Sequence, residues 1–245
     1  MPRATGRPRT AGTSPTGRGT REDILHAGAR LFCTVGYGST STHALAEVAG
    51  VRQATLYHHF AGKYAVLLEL LLGTVQPSLD AARALLIRPE PAPARLWALA
   101  AGDVRLLCAG EDNLGALYLL PELDDERFAP FHERRRELED AYRLLVAGCV
   151  PDGPVVEAPP VLPDVPAVPE GAASDVAHRT ALVLGLVESV ILQRRRAPET
   201  LDARTPAAVA DAALAVLGLA PDERTRHAAG GRALLPGAAP PPATP

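Results

Sequence analysis

The chain has 245 residues, 47% hydrophobic and 4% aromatic, enough for one large or two small domains with a buried core. Its three cysteines, Cys33, Cys108 and Cys149, have no paired spacing, which argues against a disulfide framework and for a reducing, cytoplasmic setting. The net charge of −3 conceals an asymmetry: residues 1–63 hold eight basic and three acidic side chains, a balance of +5, leaving −8 for the remainder. A basic head on an acidic body is what a nucleic-acid-binding module joined to a second domain should show.

Residues 1–19 are rich in Arg, Gly, Thr, Ser and Pro and read as a disordered basic tail, able to add phosphate or minor-groove contacts. Thr20 is the expected N-cap of the first helix, with Asp23 in its first turn and Ile24, Ala27, Leu31, Phe32 and Val35 as its apolar stripe. Gly36-Tyr37-Gly38 ends that helix, and Thr40 is expected to cap the second. Over residues 40–63 the pattern predicts two short helices meeting at Gly50. Leu45, Ala49, Val51, Leu56 and Phe60 face inward there, and Gly50 can take the left-handed conformation that a corner needs. This is a helix-turn-helix, whose second helix (about 52–59) turns Arg52, Gln53, Thr55 and His58 outward.

The strings Ala46-Glu47-Val48-Ala49-Gly50-Val51 and Thr55-Leu56-Tyr57-His58-His59-Phe60, with Lys63 three residues on, resemble the TetR family of bacterial transcriptional regulators over residues 20–70. Two positions depart from that family's usual pattern. Arg52 stands where a small polar residue normally opens the second helix, and Ala54 where a Gly normally precedes the Thr. The resemblance implies an all-α chain, with an N-terminal three-helix helix-turn-helix DNA-binding domain followed by a larger helical ligand-binding and dimerisation domain. It implies base or near-base contacts from Gln53, Thr55 and His58, phosphate contacts from Thr40, Tyr57 and Lys63, and either kind from Arg52. Lys63 is the chain's only lysine, in a sequence that otherwise uses arginine for positive charge.

The DNA-binding domain is expected at residues 20–66 and the regulatory domain at 67–220. Residues 64–74 read as an apolar linking helix, 76–87 as an amphipathic one, 94–109 as a helix carrying Trp97, and 124–150 as a long packing helix. Seven prolines between 151 and 173 predict an extended loop. Ser174 should then cap a helix so apolar around residues 176–193 that it needs cover on two faces, its own core and a partner subunit. Glu188 interrupts its longest apolar run, which is shorter than the roughly 20 residues of a membrane span; no membrane partner is expected. A last helix starts near Thr205, and 221–245 reads as a disordered tail.

Following the family, the second domain should enclose a small-molecule effector, lined here by Trp97, Cys108, Tyr118, Phe128, Phe131 and His132. It should also pair two subunits through Leu182, Leu186, Val187, Val190, Val209 and Leu217. No catalytic, metal or cofactor site is expected. His132-Glu133 begins like a zinc-protease signature, but Arg136 stands where the second His belongs, and there is no Cys-x-x-Cys, nucleophile elbow or phosphate loop. The expected function is a homodimeric repressor released from a palindromic double-stranded operator by a small molecule. A constitutive binder, an activator, or a helical ligand-binding protein or enzyme with an incidental basic head are the alternatives.

Overall fold

The structure, a computed structural model, describes residues 14–150 and 170–235. Among them every regular element is helical: α1 (Thr20–Thr34), α2 (Thr42–Val48), α3 (Gln53–His59), α4 (Lys63–Leu86), α5 (Ala92–Cys108), α6 (Ala129–Ala147), α7 (Glu170–Arg196), α8 (Thr205–Val216) and α9 (Pro221–Leu234). Short 3-10 turns occupy Leu114–Leu119, Pro121–Asp124, Glu126–Phe128 and Pro198–Thr200. The chain is all-α, as its periodicity indicates.

Two compact units form. One holds Met1–Gly73 and Glu111–Phe131, the other Thr74–Gly110 and His132–Pro245. This differs from the expected boundary at 66/67. The helices expected at 64–74 and 76–87 are one helix, α4, running through Pro77. Proline there removes a hydrogen bond and costs about 3 kcal/mol. Yet the buried ladder Val66, Leu67, Leu71, Val75, Leu79 and Ala82 stays in phase across it. Each large member contributes about 1.5–3 kcal/mol on burial, so helix continuity wins. By length and composition α4 could cross a bilayer, but this stripe is buried in protein.

In the N-terminal unit α1 lies close to the start of α4, because Gly28 has no side chain; a Cβ there would sit 2.6 Å from Val66 Cγ1. The N-cap of α1 is Gly19, not Thr20, and it supplies no side-chain bond. Asp23 does other work. It is fully buried and accepts hydrogen bonds from Ser14 Oγ (2.8 Å), Thr16 Oγ1 (2.7 Å) and the Thr16 amide (2.9 Å). The expected disordered stretch 1–19 is therefore ordered from Ser14 on, since a buried carboxylate needs those donors; residues 1–13 lie outside the described residues.

In the second unit α5 is the central helix, packed on α7, α8 and α9. Leu96, Trp97, Leu99 and Val104 are buried along it. Two arginines close helix ends. Arg95 donates to the carbonyl of Leu86 (2.8 Å) at the end of α4, and Arg194 to those of Leu107 (2.7 Å) and Gly110 (2.8 Å) at the end of α5. Helix α7 starts at Glu170, four residues before the expected cap at Ser174, while most of the proline-rich loop (151–169) lies outside the described residues.

The expected tail at 221–245 is instead helical over Pro221–Leu234; residues 236–245 lie outside the described residues. Pro221 opens α9 and Glu223 reaches back to the Ala220 amide (3.0 Å), an N-terminal lock. Gly230-Gly231, which reads as a helix breaker, is where α9 meets α5. A Cβ on Gly231 would come within 2.7 Å of Trp97 Cε3 and 2.8 Å of the Ala94 carbonyl oxygen. Backbone cannot yield as a flexible side chain can. Gly231→Val should therefore lose about 1–3 kcal/mol in chemical denaturation. Gly230→Ala, whose Cβ would meet Ala94 Cβ at an ordinary 3.4 Å, should stay within about 1 kcal/mol of the natural chain.

Candidate DNA-reading surface and regulatory domain

The corner between α2 and α3 has the geometry its sequence calls for. Gly50 sits at φ 67°, its amide donates to the Glu47 carbonyl (3.0 Å), and the Val51 amide donates to the Ala46 carbonyl (2.9 Å). That pair of bonds is a Schellman closure, and buried Val51 plugs it. Leu45, Ala49, Leu56 and Phe60 are buried behind it, so α3 can show only its other face: Arg52, Gln53, Tyr57, His58 and His59 are exposed, and Thr55 is half-buried.

Ser41, not Thr40, caps α2, accepting from the Ala44 amide (3.1 Å). Thr40 is 3% exposed and donates to the Gly36 carbonyl (2.8 Å), so its hydroxyl points into the turn rather than toward a phosphate. Thr42 is the residue the sequence reading missed. Its hydroxyl receives Gln53 Nε2 (3.0 Å) and lies 3.3 Å from the Tyr57 hydroxyl, which ties the reading face of α3 to the start of α2. The run Ser39-Thr40-Ser41-Thr42 carries a hydroxyl at every position, so the capping register was not visible in it.

Lys63 Nζ donates to the carbonyls of Tyr37 (2.9 Å), Gly38 (3.3 Å) and Thr40 (3.1 Å), and lies 4.4 Å from the Tyr37 ring centre. An ammonium has three protons, and all three point at this turn. Lys63 thus fixes the loop before α2 to the first residue of α4.

The six residues expected to line one effector site are divided between the two units. Tyr118, Phe128 and Phe131 belong to the N-terminal unit, where the Tyr118 and Phe131 rings lie 5.5 Å apart; Trp97, Cys108 and His132 belong to the second. Trp97 and Phe128 are 1% exposed. Trp97 has its indole N–H satisfied by Asp211 Oδ1 (2.6 Å), so it is core with its polar atom paired. Of the expected pairing residues, Val187, Val190 and Leu217 are buried in the subunit's own core, because α7 turns Val176, Val183, Val187 and Val190 inward. Leu182 is 44% exposed, Leu186 and Val209 are half-buried, and Leu192 (47%) and Val216 (39%) extend the apolar surface the expectation described. Among the described residues no three His, Cys, Asp or Glu side chains cluster to hold a metal.

Residues 24–70 match the pattern of bacterial regulatory proteins of the tetR family. The crystal structure of Mycobacterium smegmatis AmtR is similar to this chain at 42% identity, covering 96% of this chain and 100% of that one with a TM-score of 0.74. The chain belongs to the TetR family. It is a DNA-binding transcriptional regulator. Another relative, the HTH-type transcriptional repressor KstR2 of Rhodococcus jostii (strain RHA1), is 26% identical over 138 residues, 55% of this chain and 67% of that protein. FadR from Bacillus subtilis in complex with stearoyl-CoA shares the fold, with a TM-score of 0.57 at 18% identity over 80% of this chain and 96% of that one.

In the second unit of this TetR-family chain one carboxylate is out of place energetically. Asp103 on α5 is 5% exposed; its Oδ2 accepts from the buried Tyr142 hydroxyl (2.8 Å), and its Oδ1 has no hydrogen-bond partner. Burial raises its pKa to about 6, against smaller downward pulls from the Tyr142 and Ser78 hydrogen bonds and the Arg135 charge. Burial also holds the Tyr142 hydroxyl well above its usual range, with the Asp103 charge adding to the effect. A carboxyl with a raised folded-state pKa stabilises the fold below its unfolded value of 3.8 and loses that contribution as pH rises through about 6. Asp103→Asn should therefore gain on the natural chain by up to about 3 kcal/mol between pH 4 and 7 in urea denaturation. A constant difference across that range would mean that folding does not shift the pKa of Asp103.

Proposed function

We propose that the protein is a homodimeric repressor. Its two α3 helices enter successive major grooves of a palindromic operator, and a small molecule bound in the second unit releases it. The observation that carries the DNA reading is the exposed face of α3. Arg52, Gln53, Tyr57 and His58 project from a helix whose far side is locked by the Gly50 corner, Thr42 and the Lys63 turn. Gln53 and His58 are positioned to meet base edges, with Thr55 beside them. Tyr57 and Arg52 suit phosphates, and Arg52 also reaches toward bases. Thr40 and Lys63 serve as positioning residues, because their donors are spent on backbone carbonyls.

Half-sites of such a dimer lie about one helical turn, 34–36 Å, apart or a multiple of it. Arg52→Ala should weaken binding to operator and random DNA alike and lower the slope of log K against log salt by about one unit. Lys63→Met should weaken the operator without that slope change, because it disturbs α2 and α3 rather than deleting a phosphate contact. A slope change for Lys63→Met equal to that of Arg52→Ala would return Lys63 to the DNA surface.

Pairing is assigned to the exposed apolar strip of α7 and α8, with Leu182, Leu186, Leu192, Val209 and Val216 toward the partner. Leu182→Glu places a charge in that interface without touching the subunit's own core. Sedimentation should report folded monomers for it, whereas Val187→Glu should unfold the unit, since Val187 is 2% exposed. A folded Leu182→Glu dimer would rule the strip out.

Repression is the activity named for the KstR2 relative, and the FadR neighbour is seen with stearoyl-CoA. Both support an effector-released repressor here. Helix α4 belongs to both units, and it is the element through which an effector would change the operator-binding state.

A further inference from the structure

Outside the residues first expected to line an effector site, the second unit holds a cavity of about 710 Å³ between the second half of α4, one face of α5 and the C-terminal end of α9. That size falls within the range of sites for small organic molecules. Pro77, Ala84, Leu85, Leu99, Leu234 and Leu235 supply apolar wall, and Arg88 and Arg105 stand exposed at the rim. Asp103 is the buried polar residue of this wall, the same side chain whose Oδ1 lacks a partner.

We infer that this cavity binds a small apolar molecule with a single amine head group, whose ammonium hydrogen-bonds Asp103 Oδ1. The inference deepens the effector reading and rests on it for its regulatory meaning. Three observations support it. First, Asp103 is only partly completed by the surrounding helices: the buried Ser78 side chain on α4 also lies within hydrogen-bonding reach of its carboxylate, yet Oδ1 has no partner of good geometry. The Tyr142 hydroxyl takes Oδ2, and Arg135, the nearby cation, is bridged to Glu188 at 2.6 Å. The Arg135 charge favours the ionised carboxylate and Glu188 opposes it, so what the site lacks is a donor that reaches Oδ1, and an ammonium supplies that donor together with the charge that offsets burial. Second, the apolar wall suits a hydrocarbon body, which gains by leaving water. Third, the rim carries positive charge. Arg88 is held by Glu90 (2.6 Å), and exposed Arg105 opposes a second cation at the mouth. Monoamines are favoured over diamines on that ground, while an uncharged or anionic far end is accommodated.

The cavity also has a route to the rest of the unit. Leu234 and Leu235 of its wall lie just beyond Gly231 and Arg232, which pack against Trp97, the chain's single tryptophan. A bound ligand therefore presses on the segment that touches this fluorophore.

The test uses the full chain, titrated calorimetrically with n-octylamine, n-octanol, octanoate and 1,8-diaminooctane, with Trp97 fluorescence followed in parallel. Octylamine should bind one per subunit, ahead of the alcohol, the acid and the diamine. A hydrogen bond to a charged group is worth enough that Asp103→Asn should weaken octylamine by at least about tenfold while leaving octanol unchanged. Ala84→Trp fills the cavity from an exposed position on α4 that tolerates bulk, and should abolish octylamine binding. Equal affinity for octylamine and octanol, full affinity in Asp103→Asn or Ala84→Trp, or no binding of any probe would overturn the assignment. Operator binding is measured separately. An amine that binds as described but leaves the operator complex intact keeps the site and removes only the effector reading.

Discussion

The DNA-reading unit depends on one ammonium. Lys63 opens α4, where a positive charge is disfavoured by the helix dipole, and it is held there by three carbonyls of the turn that precedes α2. Those carbonyls follow the end of α1, so a single side chain ties together the end of one helix, the start of the next and the head of a fourth. A seven-residue helix such as α2 or α3 is not stable alone, because nucleation costs more than so few hydrogen bonds return. Its orientation must come from such ties and from the buried cluster of Leu45, Val51, Leu56 and Phe60. Thr42, with Gln53 and Tyr57, then sets the outward side chains.

The second unit solves a different problem, that of packing a sequence with few aromatics. Trp97 fills the space between α5, α8 and α9, with its ring under Arg232 and its N–H on Asp211. Glycine lets α9 close against it. Small residues such as Ala94, Ala98, Ala100 and Ala101 on α5 allow the same close approach from other sides, so contact area replaces bulk. Against this apolar background Asp103 is the exception. A half-satisfied buried carboxylate is retained at a cost in stability, and sites that bind ligands are where such costs are found.

Helical periodicity was legible over most of the chain, with α9 the exception. The inner face of the helix-turn-helix and the Gly50 corner follow from residue spacing, because burial of apolar side chains is local in sequence once a helix forms. The strings around Ala46–Val51 and Thr55–Phe60 also carried the family, since a corner that tight admits few residue types. What spacing could not supply was the partner of each polar group. Lys63 was expected on a phosphate and its ammonium is held by backbone carbonyls, and Thr40 looked like a cap and is buried beside one.

Local sequence therefore determined the class of fold, the helix-turn-helix, and most of the residues on the exposed face of α3. Only tertiary packing decided that Pro77 leaves α4 intact, that Gly230-Gly231 belongs inside α9, that Val187 and Leu217 serve the subunit's own core, and that Asp103 faces a cavity with one oxygen unpaired. The physical reason is the same in each case. Propensities and caps act over a few residues and contribute about 1 kcal/mol each, whereas burial is summed over segments far apart in the chain. Where the two disagree, the larger sum sets the structure.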